Sequence, residues 1–101
     1  MVNDMKTLEE IERILREHRE ELRRKFKVKE IGIFGSYVRG EAKETSDVDI
    51  LVEFDETPSL FEFIELETYL SDLLGVKVDL VMKKALKPHI KQYVLREVVY
   101  V

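Results

Sequence analysis

The chain has 101 residues, a length that suits one domain spanning 1–101 and leaves no room for a second. Its 21 acidic and 17 basic residues give a formal net charge of −4, so it lacks the broad basic surface that grips long DNA or RNA, and no direct nucleic-acid ligand is expected. Cysteine is absent, which excludes disulfides and thiolate metal sites, and no run approaches the ~18 apolar residues of a membrane span, so the expected setting is cytoplasmic and away from membranes.

From Thr7 to about Lys25, apolar Leu8, Ile11, Ile14, Leu15 and Leu22 recur at helical spacing, and Thr7 with Glu10 forms a capping-box pattern. One amphipathic helix with a charged outer face is expected, with His18 on its inner side as a structural residue. Val28 to Phe34 reads as a strand that ends abruptly at Gly35-Ser36. Asp47 to Phe54 alternates as a second strand whose buried face is Val48, Ile50, Val52 and Phe54.

Ser59, three residues before Glu62, opens another helix, and Leu60, Phe63, Ile64, Leu66, Leu70, Leu73 and Leu74 supply its apolar stripe. Gly75 is placed to close it in a left-handed cap. Val76 to Met82 follows as a third strand, with Val76, Val78, Leu80 and Met82 on one face. Pro88 suits the first turn of a last helix that carries Ile90, Val94 and Leu95 inward. The ending Val98-Val99-Tyr100-Val101 reads equally as a frayed helix end, an edge strand or a strip that meets a partner. The order of elements predicts an α/β (α+β) fold, a small mixed β-sheet backed by helices on one face.

Because side chains alternate across a strand, Asp47 and Asp49 leave the second strand on the same side, roughly 6.6 Å apart, facing away from Val48, Ile50 and Val52. The same parity sets Lys77, Asp79 and Val81 opposite Val78 and Leu80 in the third strand. If these strands are neighbours, three carboxylates converge on one face, and such clustered like charges call for a cation. Oxygen-only ligation suits a hard ion such as Mg²⁺, which prefers a few carboxylates plus substrate phosphates. Gly35 lets backbone approach a phosphate closely, Ser36 offers a hydroxyl and amides to the same anion, and Arg39 can neutralise its charge. A phosphate clamp beside a carboxylate cluster is what metal-assisted nucleotidyl transfer requires. Each feature has a plainer reading: a strand-ending turn for Gly35-Ser36, solvated edge carboxylates for Asp47 and Asp49, surface charge for Arg39. Lys77 serves as well for charge balance as for phosphate contact, and Tyr37 for core packing as for stacking on a nucleotide.

Gly35-Ser36, followed after ten residues by Asp47-Val48-Asp49 at a strand start and later by Asp79 in an apolar strand, resembles the signature of the DNA polymerase beta nucleotidyltransferase superfamily. The finer pattern IFGSYVRGEAKETSDVDILVEF is similar to the minimal nucleotidyltransferase branch, the MntA-type antitoxins encoded beside HEPN-domain toxins, and the likeness runs from Ile31 to the end of the chain. The resemblance implies that Gly35 and Ser36 bind the β and γ phosphates, that Asp47 and Asp49 coordinate two Mg²⁺ ions, and that Asp79 holds the ion that activates the acceptor hydroxyl. It implies ATP as donor and AMP transfer to a protein hydroxyl, a tyrosine of the cognate HEPN toxin, in a type VII-like toxin-antitoxin system. Two alternatives stand beside it: a non-catalytic antitoxin that neutralises by binding, and a transferase acting on a small-molecule hydroxyl. A chain this small leaves the acceptor site to be completed by another protein, in a homo- or hetero-oligomer. That argument predicts an exposed apolar patch near the active face, drawn from Leu51, Val81 or the C-terminal strip.

Overall fold

The computed structural model describes residues 5–101. Two short helices, α1 (Leu8–Glu17) and α2 (Arg19–Phe26), lead into strand β1 (Val28–Phe34), and the single turn α3 (Ser36–Arg39) follows directly. Strand β2 (Val48–Phe54), helix α4 (Leu60–Leu74) and strand β3 (Val78–Met82) come next, then a 3₁₀ turn (Lys83–Ala85), helix α5 (Pro88–Glu97) and the two-residue strand β4 (Val99–Tyr100). The fold is mixed α/β, with a four-stranded sheet in the order β3-β2-β1-β4. β1 pairs antiparallel with both β2 and β4, while β2 and β3 run parallel, as a helical crossover between them requires.

The helix boundaries follow the local chemistry. Thr7 and Glu10 form a reciprocal capping box at the start of α1, Ser59 and Glu62 form another at α4, and Gly75 ends α4 with φ +69°. Pro88 stands in the first turn of α5. The first helix is not continuous. At His18 (φ −105°, ψ 12°) the backbone leaves the helical range, the amide is shared between the Ile14 and Leu15 carbonyls, and the imidazole Nδ1 lies 2.8 Å from Ile14 O. This turn redirects the chain so that Leu22 and Phe26 of α2 reach the same core as Ile11 and Leu15 of α1.

That core is one apolar cluster. Ile11, Leu15, Leu22 and Phe26 pack with Leu66, Leu70 and Leu74 against Ile31 and Ile33 of β1, Val48, Ile50, Val52 and Phe54 of β2, and Val78 and Leu80 of β3. Each such side chain contributes roughly 1.5–3 kcal/mol by leaving water. The buried stripe of α4 is narrower than its apolar content suggested. At about 100° per residue Ile64 lies about 200° from Leu66 around the helix, so Ile64 faces solvent, as do Leu60 and the neighbouring Phe61. α5 likewise buries only Val94; Ile90 and Leu95 are exposed. β3 begins at Val78 and β2 at Val48, so Val76, Lys77 and Asp47 precede their strands.

The C-terminal strip resolves as an edge strand. Gly32 lies opposite Tyr100 and Ile33 opposite Val99. A Cβ on Gly32 would stand 2.7 Å from Val98 Cγ2 and 3.0 Å from the Val99 carbonyl oxygen, so the glycine is what lets the end of the chain seat against β1. Leu51, expected on an exposed patch, is 1% exposed, because the face of β2 that bears it is covered in turn; Val81 is half-buried. Tyr100 of the C-terminal strip is exposed as expected, and the other large exposed apolar side chains are Leu60, Phe61 and Ile64 of α4 and Ile90, Tyr93 and Leu95 of α5. Among the described residues no helix is long and apolar enough to cross a membrane.

Candidate active site

The parallel register of β2 and β3 puts Asp49 directly opposite Asp79. Both leave the sheet on the face away from the main core, close enough for the charge of Asp79 to act on Asp49. Asp49 is half-buried, and its pKa is pushed up to about 6, first by burial, then by the charge of Asp79 and that of Asp47; Arg39 partly offsets the rise. Two carboxylates that cannot both ionise freely form a site for a proton or for a cation.

Asp47 stands one residue ahead of β2, and its charge reaches both Asp49 and Tyr37. It does not close with the other two into a complete cage: among the described residues no group of three or more His, Cys, Asp or Glu side chains is disposed to hold a metal ion by itself. Tyr37 is part of the main core, which settles its role as packing. Lys77 is exposed, and its carbonyl accepts the Val48 amide at 2.9 Å.

Gly35 ends β1 with φ +82° and ψ −151°, a conformation that L side chains rarely adopt. A Cβ there would fall 2.1 Å from Asp49 Oδ2, so the backbone passes the carboxylate only because the residue is glycine. Ser36 opens α3 immediately after, and Arg39 ends it.

An open cleft of about 590 Å³ gathers these parts, a size in the range of small-molecule sites. Gly35, Arg39, Asp49 and Asp79 form one wall, and Ile90, Tyr93 and Glu97 of α5 form the other. Ser36 and Asp47 lie beside the cleft rather than in its lining.

Glu97 is the site residue that the sequence did not announce. Its Oε2 accepts the Gly35 amide at 2.7 Å, and both its oxygens lie 3.2 Å from Arg39 Nη1. Arg39 also donates from Nε to Glu41 at 2.9 Å; these two contacts, Glu41 first, hold its pKa above the usual value. A glutamate ending a helix looks like solvated charge. The available signal is its position: a carboxylate in the last turn opposes the helix macrodipole, so some donor elsewhere has to hold it there.

A mixed sheet that aligns two carboxylates at a glycine turn, in a cleft edged by an arginine, defines the class of enzymes that transfer phosphorus-bearing groups. Comparison with known proteins gives the family. The model of the nucleotidyltransferase domain matches residues 15–101. The chain belongs to the nucleotidyltransferase domain family and is a nucleotidyltransferase. It is 70% identical over 97 residues to the protein adenylyltransferase MntA of Thermococcus cleftensis, covering 96% of this chain and 98% of that one. A toxin-antitoxin structure with AMP-PNP superimposes with a TM-score of 0.69 at 29% identity, over 83% of this chain and 69% of that chain. A complex of the tri-AMPylated Shewanella oneidensis HEPN toxin with its MNT antitoxin superimposes with a TM-score of 0.64 at 25% identity, over 88% and 70%.

Proposed function

We propose that this chain is a single-domain Mg²⁺-dependent adenylyltransferase that moves AMP from ATP to a protein hydroxyl, a tyrosine of a cognate HEPN toxin, and so acts as the antitoxin of a toxin-antitoxin pair. The observation that carries this reading is the Asp49–Asp79 pair set directly against the Gly35 turn in the lining of one cleft. The names of the similar proteins support it: one is a protein adenylyltransferase, and another is an antitoxin bound to an AMPylated toxin.

The donor set fits the ion. Two aspartates, one of them with its pKa pushed up to about 6 by burial and by the charges of Asp79 and Asp47, supply oxygen ligands for a hard cation and leave its other positions to phosphate and water. Asp47, Asp49 and Asp79 would hold Mg²⁺, two ions in the reading taken from the family, and there it would neutralise the triphosphate and polarise the α phosphorus. The remaining work belongs to the chain. Gly35 and Ser36 seat the β and γ phosphates, with Arg39 balancing their charge. The acceptor oxygen attacks the α phosphorus in line, the bond to the α–β bridging oxygen breaks, and pyrophosphate leaves. Asp79, the more exposed of the pair, takes the proton from the acceptor hydroxyl.

Tyr93 and Ile90 stand exposed on the α5 wall of this cleft, an apolar rim suited to a protein surface rather than a small free alcohol. The test is incubation with α-labelled ATP, Mg²⁺ and the protein encoded by the adjacent gene. Wild type should label the partner, whereas Asp47→Ala and Asp79→Ala should each reduce labelling by on the order of a thousandfold. Transfer that survives both substitutions would overturn the roles given to these residues.

A further inference from the structure

Glu97 is bound in the structure as an anion would be. Its carboxylate takes the Gly35 amide at 2.7 Å and both oxygens face Arg39 Nη1 at 3.2 Å, from a residue 62 and 58 positions away in the chain. Nothing local explains the placement, since a carboxylate at the last residue of α5 sits at the negative end of its own helix. Its position is fixed from behind. Val98 follows it, and Val99 and Tyr100 pair with β1 at Gly32 and Ile33, a seating possible only because Gly32 lacks a side chain.

We propose that Glu97 is an internal surrogate for phosphate, occupying the Gly35 amide and the Arg39 guanidinium in competition with the triphosphate, so that it sets the threshold of negative charge a ligand needs to enter the site. This inference rests on the reading of Gly35 and Arg39 as phosphate donors. One amide hydrogen serves one strong acceptor at ~2.9 Å, and a phosphate oxygen and a carboxylate brought to the same donor repel each other. The ligand therefore displaces Glu97, and rotation of that side chain into the open cleft is enough. A polyphosphate that carries several charges replaces both contacts at once. A nucleoside monophosphate, with fewer charges, replaces them poorly, which favours the triphosphate over AMP.

The test is calorimetric titration of the full chain with ATP, AMP and, separately, inorganic tripolyphosphate, each with Mg²⁺, for wild type, Glu97→Gln and Glu97→Asp. The amide variant keeps the shape without the charge, and the shorter acid draws back from Gly35. Both should bind tripolyphosphate and ATP on the order of tenfold more tightly than wild type, and the preference of ATP over AMP should narrow. A merely structural role predicts the opposite, because loosening the end of α5 cannot tighten a ligand. Unchanged or weaker binding by variants that melt like wild type overturns the inference and leaves the nucleotidyltransferase reading intact; wild type that binds neither ATP nor tripolyphosphate removes the reading beneath it as well. Should the variants fold poorly, wild type decides. The carboxylate carbon resonance of Glu97 and the Gly35 amide should both move on addition of tripolyphosphate, and a stationary Glu97 resonance overturns the inference.

Discussion

The two faces of one sheet answer to different demands. On the face packed by α1, α2 and α4, strand β2 contributes Val48, Ile50, Val52 and Phe54, and among the described residues no polar side chain is fully buried and no buried side-chain nitrogen or oxygen lacks a hydrogen-bond partner. On the opposite face the same strand presents Asp49, and its parallel neighbour presents Asp79 level with it. Alternation along a strand makes this separation possible at single-residue resolution, since Asp49 and Ile50 are consecutive yet belong to different environments. The lesson is that stability and chemistry are stored on different sides, so substitutions on each should be separable. The second face is not simply open: Leu51 and Val94 are buried there, Lys83 pairs with Glu30 and Glu53 at 3.8 and 3.7 Å, and Glu97 closes on Gly35.

The largest expected effect breaks one face only. Leu66→Ala, in the middle of the cluster under α4, should cost ~2–5 kcal/mol in stability through lost burial and the cavity left behind. Of a domain of this size that is a large part of the total, so the variant should melt far below wild type. Asp79→Asn should melt within a degree or two of wild type while nucleotidyl transfer disappears. Chemical denaturation and labelled-ATP transfer measured on both variants check the pair. Equal stability losses would show that the two faces are not independent.

A smaller effect sharpens the comparison at the level of a single cap. Ser59 accepts the Glu62 amide at 3.2 Å and receives the Glu62 carboxylate on its own amide at 2.8 Å, at the start of the helix that feeds the core face. Ser59→Ala should lower stability by ~1 kcal/mol, which lowers Tm by about 4–8 °C in a domain of this length. Because Ser59 is remote from the cleft lining, transfer measured well below that Tm should be unchanged. A loss of activity without a loss of Tm would show that α4 communicates with the site.

Legibility in the sequence followed the same division. Periodicity and caps act locally, so Thr7 with Glu10, Ser59 with Glu62, Gly75 and the alternation of β2 are legible directly, and strand parity sets Asp49 and Asp79 on one face once β2 and β3 are neighbours. The features that escaped depend on contacts distant in sequence. No glycine or proline marks the break at His18; it follows from two helix segments needing to reach one core. Leu51 reads as exposed because its strand neighbours are acids, and only tertiary covering buries it. Ile90 and Leu95 read as core because helix periodicity cannot tell a buried apolar face from the exposed rim of a cleft. Glu97 escaped for the same reason, since its partners Gly35 and Arg39 belong to another part of the chain.

The smallest expected effect tests whether the second face costs stability. With its pKa raised from 3.8 to about 6, Asp49 binds its proton more tightly in the folded chain than in the unfolded one. The sign follows: stability from this group is fully present below pH ~4 and is lost as pH rises through about 6, beyond which the folded state carries a crowded charge beside Asp79 and Asp47. Asp49→Asn removes the titration while keeping the shape. Measured with a chelator, so that divalent cations do not offset the crowding, the variant should match wild type at about pH 3 and melt above it at about pH 7.5, the gap opening between about pH 4 and about pH 6. Because Asp49 is partly open to solvent, the gap should be smaller than the effect of Ser59→Ala. Added Mg²⁺ should narrow it by stabilising wild type alone. A gap that is constant across the pH range would mean that Asp49 is not held at the expense of the fold, and that the carboxylate face is as well satisfied as the apolar one.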